Sequence, residues 1–140
     1  MKNRITLTKN LFLDEYISKA MYLKYEKVPW IMIGMLDRRM VMADQMLRDH
    51  FGSVMINNWW DEGVRQWSGI RTEESENYSP TSQHTYGRAS DKIFSLATAE
   101  EVRIYIELHW RELGITCIEG KVSWVHSDVR YYQGESLLIV

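Results

Sequence analysis

An α+β domain built around a small, mainly antiparallel sheet is the fold this sequence predicts, and three observations predict it. Apolar residues recur every four positions through the first third of the chain. Short runs alternating apolar and polar residues, separated by glycine-containing turns, fill the last third. Between them Thr98 and Glu101 stand at capping-box spacing, ahead of another helical pattern. With 140 residues, 45% hydrophobic and 26% charged, the chain suits one domain with a real core. That domain is expected to span 1–140, with N-terminal helices over 11–51 and a second part over about 54–140.

Taken in order, Leu13, Ile17, Met21 and Tyr25 predict a helix over 11–27, with Asp14 and Glu15 in its first turn and lysines toward its end, as the helix dipole favours. Pro29 and Gly34 punctuate the chain. A second helix is expected over 35–51, with Leu36, Met40, Ala43, Leu47 and Phe51 on one face and Gly52 as its stop. The methionines at 35, 40, 42 and 46 are assigned to core packing, since Met fills irregular apolar gaps. Residues 54–57 form a short strand, and the polar, tryptophan-bearing stretch 58–81 is a long connection of the kind that shapes a site. A strand ends at Leu96, and a helix runs from the capping box to about 113, with Val102, Ile106, Trp110 and Leu113 inward and Gly114 ending it. Strands follow at 115–118, 122–130 and 137–140, with turns between.

Composition excludes some function classes. A formal charge of −2 and a pI near 6.1 provide no overall basic field for nucleic acid. One cysteine, Cys117, sits between apolar neighbours and is expected to be a buried structural thiol. The first eight residues have no apolar core of signal-peptide length, and no segment is long enough to span a bilayer, so synthesis in a cytoplasm without a signal peptide is expected.

The chemistry concentrates in Ser82-Gln83-His84-Thr85-Tyr86-Gly87-Arg88-Ala89-Ser90-Asp91. A histidine and an aspartate seven residues apart, across a glycine that can turn the chain, allow a loop and the following strand to present two ligands to one divalent metal. His126, in the alternating run Trp124-Val125-His126-Ser127-Asp128, is the candidate third ligand. His50 and His109 lie beside apolar helix stripes, away from ligand-like neighbours, and are left out of the site.

The pattern Ser-x-His-x-x-Gly-x-Ala-x-Asp, matched by Ser82, His84, Gly87, Ala89 and Asp91, resembles the zinc D-Ala-D-Ala carboxypeptidases of peptidase family M15, whose fold is shared with the hedgehog signalling domain. The resemblance covers about 67–130 and implies that His84, Asp91 and His126 bind one zinc ion, with Ser82 hydrogen-bonding behind them. It implies a peptidase acting on the stem peptides of peptidoglycan, as a carboxypeptidase or an endolysin-like endopeptidase of viral or bacterial origin. Trp67-Ser68-Gly69-Ile70-Arg71-Thr72 is similar to the family's Ser-Gly-Tyr-Arg-Ser segment, with Ile70 in place of the usual aromatic, and would give Arg71 the substrate carboxylate. Arg65 is the alternative for that role.

The sequence departs from the family at the general base. The acid usual three places before the last histidine is here Ser123. Asp128, two residues after His126 on the same strand face, and Glu119, in the preceding turn, are the two candidates for proton transfer; Asp128 is also a candidate for orienting a histidine ligand. The absent acid also motivates the alternative of a domain that keeps the fold and the zinc without hydrolysis, serving in binding or as a virion component. A peptidase of this kind would reach the bacterial wall after lysis or delivery, with virion or lysis proteins as partners.

Overall fold

The computed structural model describes residues 3–140; Met1 and Lys2, where the N-terminal reading begins, lie outside the described residues. The described residues form four α-helices and a five-stranded sheet: α1 (Lys19–Tyr25), α2 (Trp30–Gly34), α3 (Arg38–Phe51), β1 (Val54–Met55), β2 (Ala89–Phe94), α4 (Ala99–Leu113), β3 (Cys117–Ile118), β4 (Val125–Asp128) and β5 (Leu138–Ile139). The strand order is β1-β2-β4-β3-β5, antiparallel throughout except for the parallel β3/β5 pair. This is the mixed, mostly antiparallel α+β class that the patterning predicts. Among the described residues no helix is long and apolar enough to cross a membrane.

The long N-terminal helix is a correction. Residues Leu13–Glu15 form a single 3-10 turn, and α1 starts only at Lys19. Ser18 separates them: its backbone is extended and its hydroxyl accepts from Met21 N, so it caps a new helix where an apolar spacing of four suggested a continuous one. The segment before it is instead buried on all sides, with Leu13, Tyr16 and Ile17 each 0% exposed. The expected punctuation at 29–34 is itself a short helix, α2, starting behind Pro29. A second correction concerns the methionines. Met40 is buried, but Met35, at the end of α2, is exposed, as are Met42 and Met46, which lie off the stripe of α3 where Ala43 and Leu47 pack in the sheet cluster.

Helix termini follow local chemistry. Asp37 caps α3 by accepting from Arg39 N at 2.9 Å. Thr98 and Glu101 form the full capping box of α4, and Gly114 ends that helix at a φ of 74°, in the left-handed region where glycine is unstrained.

Antiparallel pairing gives the sheet two unlike faces. Opposed residues share a face, so Asp91 and His126 project together, as do Ala89 and Asp128. Phe94, Val125 and Ile118 point the other way and meet Ala43 and Leu47 of α3 and Val102 and Ile106 of α4 in one apolar cluster. A second cluster joins the N-terminal segment, Met32, Met40, Ile56 and Ile70. The helices α3 and α4 thus cover one face, and the connection 58–88 folds over the other, where the candidate ligands lie.

Candidate metal centre

His84 comes from a 3-10 turn, Gln83–Tyr86, that Ser82 caps by accepting from His84 N at 3.2 Å. Gly87 ends the turn at a φ of 68°, and a Cβ there would strike the backbone of Met35. The sharp turn feeds directly into β2, which places Asp91 opposite His126 of β4. His84, Asp91 and His126 are all buried, and their ligand atoms lie within 4.8 Å of one another. Such a group could hold a metal ion.

The hydrogen bonds around the two imidazoles fit that use. His84 Nδ1 is 2.8 Å from the carbonyl oxygen of Gly69, which can only accept, so Nδ1 carries the proton and Nε2 is turned toward Asp91 Oδ1 at 3.3 Å. His126 Nε2 lies 2.9 Å from Asp128 Oδ2, and its Nδ1 lies 2.9 Å from the same Asp91 Oδ1. Each histidine therefore has one nitrogen tied to an outer acceptor and the other aimed at a common point. Outer acceptors of this kind fix the tautomer and orientation of metal-binding histidines.

Electrostatics follow from the same contacts. Burial resists ionisation of Asp91, but hydrogen bonds from His126 and His84 and their charge hold its carboxyl far below the ordinary range. Burial would lower the His126 pKa, yet Asp128 and Asp91 on either side raise it to about 9. The proton facing Asp91 is the one a bound cation would replace. For Asp128 burial is outweighed by hydrogen bonds from Arg130 and His126, which bring it down to about 2. Arg130 grips Asp128 with a two-pronged fork at 2.8 and 2.7 Å.

The sequence-selected residues take distinct places. A cleft of about 400 Å³ opens over the three candidate ligands, and Arg71, Ser82, Glu119, Trp124 and Arg130 are among its lining residues. Arg71 does line the site, but its Nη2 is 2.5 Å from Asp91 Oδ2 and its Nε bonds the Trp67 carbonyl, so it also holds the second oxygen of Asp91 away from the histidines. Arg65 is turned inward to Ile56 O and Ser68 Oγ and does not line the cleft. Asp128 is 1% exposed, with both oxygens engaged by His126 and Arg130. Glu119 is half-buried and reaches the cleft from the end of β3, its backbone N donating to His126 O at 3.4 Å. Ser123 is exposed and lies outside the cleft lining. His50 stacks on Tyr105 and His109 lies 3.6 Å from Glu112, both in the α3/α4 layer behind the sheet. Cys117 is fully buried, and burial with Asp128 nearby pushes its thiol up to about 12, which suits an inert structural role.

Several supports are invisible to motif reading. Gly69 approaches Tyr16 so closely that a Cβ would collide with its backbone, and this approach brings its carbonyl under His84. Asn57 is buried and holds three strands of chain at once, donating to Asp14 O and Ile17 O and accepting from Ser68 N. Behind the sheet, Lys92 is 0% exposed and paired with Asp44 at 3.0 Å and Ser127 Oγ at 2.6 Å. Asp44 also accepts from Tyr16 and Ser90. The signal for this network in the sequence was a lysine at an inward place of a strand, next to the candidate ligand Asp91. Arg103 of α4 donates to Val122 O and Trp124 O, fixing the segment that enters β4.

No family model, no curated protein and no solved structure matches the chain.

Proposed function

We propose that the chain is a zinc-dependent peptidase of the D-Ala-D-Ala carboxypeptidase type, with the hedgehog/DD-peptidase fold, hydrolysing peptide bonds in the stem peptides of peptidoglycan. The observation that carries the proposal is the pair of imidazoles, each tied behind by an acceptor and each turned toward one oxygen of Asp91. Two histidines and a carboxylate in an open cleft are a donor set suited to catalytic zinc. The motif resemblance, from Ser82 to Asp91 with His126 downstream, supports the choice of reaction and substrate class.

Zinc held by His84, Asp91 and His126 would supply a Lewis acid for the scissile carbonyl and make water more acidic. The chain's own groups supply the rest. Glu119 is a half-buried carboxylate of the cleft lining that is not one of the three candidate ligands, and it is assigned proton transfer. Asp128 is assigned the orientation of His126, because both of its oxygens are already engaged. Arg71 and Arg130 line the cleft and are assigned the substrate carboxylate, with Arg71 also restraining Asp91. Action on peptidoglycan would take place at the bacterial wall, after lysis or delivery.

The test is hydrolysis of purified peptidoglycan and of a short D-Ala-D-Ala peptide by zinc-loaded protein, with chelated protein as control and metal measured on the same samples. Zinc-dependent release of amines or D-Ala is expected, and His84→Ala and Asp91→Ala should each lose stoichiometric zinc. Protein that binds one zinc but cuts neither substrate would make the non-hydrolytic binding or virion domain the better reading, a reading that Ser123 in the usual acidic place already favours.

A further inference from the structure

The helix α2 turns most of its apolar side chains outward. From Val28 to Leu36 nine consecutive residues carry no charge. Of the five in the helix itself only Met32 is buried. Trp30 is 66% exposed, Ile31 39% and Ile33 41%. A single exposed apolar side chain is ordinary, but a whole helix presenting its apolar side chains outward marks a contact surface.

The surface continues past the helix. Ile33 borders a groove of about 260 Å³ with Leu7, Leu36, Val41 and Met42. Met42 is 44% exposed, and Met46, one turn further along α3, is 39% exposed. The one charged residue lining that groove is Arg38, and no acid lines it. Residues 24–39 hold Lys24, Lys27, Arg38 and Arg39 against Glu26 and Asp37; Arg39 is forked onto Asp37, so Arg38 is the cation that the groove itself presents. On the far side of α2, Lys24 and Met35 share a cleft with Glu73 and Glu74, so the cationic edge is the Arg38 side.

We infer that α2 and the adjoining face of α3 form a docking surface for an anionic lipid bilayer. Trp30, Ile31 and Ile33 are exposed side by side on one short helix, and the groove next to it carries a cation and no acid, which suits an anionic apolar interface. An exposed tryptophan and a cation beside an apolar helix are features that hold a segment at a headgroup boundary, the cation by attraction to anionic lipid and the apolar side chains by shallow burial. The surface is formed by helices outside the lining of the cleft that holds His84, Asp91 and His126, so lipid binding and the metal site are separable.

The experiment is co-sedimentation of the full chain with phosphatidylcholine vesicles and with vesicles that also contain phosphatidylglycerol. Wild type is expected to pellet with the anionic vesicles, more weakly as salt is raised, and to stay in solution with the neutral ones. Trp30→Ser/Ile33→Ser should lose about tenfold or more in partitioning, and Arg38→Glu several-fold, while melting temperature and zinc content stay at wild-type values. Equal pelleting of wild type and the double variant would overturn the inference, as would wild type remaining in solution with both vesicle types. A wild-type dimer by light scattering that the double variant converts to monomer would also overturn it, in favour of a second copy of the chain. None of these readouts depends on peptidase activity, so failure here leaves the proposed function standing, and failure of hydrolysis leaves this inference standing.

Discussion

Asp128 holds the outer nitrogen of His126 at 2.9 Å while Arg130 clamps both oxygens of the same carboxylate from behind. The chain thus runs from a solvent-reaching guanidinium through a carboxylate to an imidazole whose inner nitrogen faces Asp91. Asp128→Ala should weaken zinc binding by about 10- to 100-fold, the usual cost of losing such an outer partner. Competition with a chelator of known affinity measures it, and an unchanged zinc affinity would show that Asp128 does not orient the ligand.

Glu119 and Asp128 should part company in kinetics. Glu119→Gln is expected to keep full zinc content and to lose about 10²- to 10⁴-fold in turnover, as removal of a general base does. Asp128→Asn should lose activity only as far as zinc occupancy falls, because asparagine can still accept from His126 Nε2. Turnover measured at saturating zinc separates the two, and an unaffected Glu119→Gln would move proton transfer to another group.

Buried Glu15 predicts an unusual pH dependence of stability. Burial lifts its carboxyl from an ordinary 4.5 to about 7, although the Phe12 backbone N–H partly offsets this. The folded chain therefore binds a proton that the unfolded chain gives up, and stability falls as pH rises from 4.5 through about 7. His126, raised to about 9, adds a further loss between 6.5 and 9 in chelated protein. Asp91 and Asp128, both lowered, act in the opposite sense, and their contribution disappears as pH falls below about 4. Urea unfolding of chelated protein should show maximal stability near pH 4 to 5. Glu15→Gln should flatten the fall between pH 4.5 and 7 and be more stable than wild type at pH 8, by on the order of 2 kcal/mol. Parallel curves for the two proteins would refute the assignment.

The ion pair of Lys92 and Asp44 is fully enclosed, so single and double substitutions should be strongly non-additive. Lys92→Met leaves a buried carboxylate without its cation and should cost about 3–5 kcal/mol. Lys92→Met/Asp44→Asn removes both charges and should recover a large part of that loss. Denaturant unfolding of the three variants decides it, and additive costs would show that the pair is not coupled.

What could be read from the sequence was what short stretches encode by themselves. The turn from Ser82 to Gly87 and the strand after it sit within ten residues, so the spacing of His84 and Asp91 already contained their geometry. The capping box at Thr98 and the stop at Gly114 are equally local. The break at Ser18 was not legible, because apolar residues at 13, 17, 21 and 25 fit one helix as well as a buried turn followed by another. Nor were the partners of the site's inner atoms. Gly69 serves His84 through its backbone carbonyl, which leaves no trace in side-chain chemistry. Asp44, far away in α3, supplies the reason why Lys92 can be buried. The exposed methionines escaped for a related reason: helical spacing identifies a stripe, and only packing decides which side of the stripe is covered.

The separations along the chain impose an order on assembly. Gly69 to His84 spans 15 residues and Arg71 to Asp91 spans 20, but His126 joins Asp91 across 35, with the whole of α4 in between. Short closures cost less chain entropy and form sooner than long ones. A nascent or refolding chain thus presents two donors before it presents three, and the third arrives with the pairing of β2 and β4. A cation that needs all three donors would consequently report, by its uptake, the moment at which β2 and β4 pair.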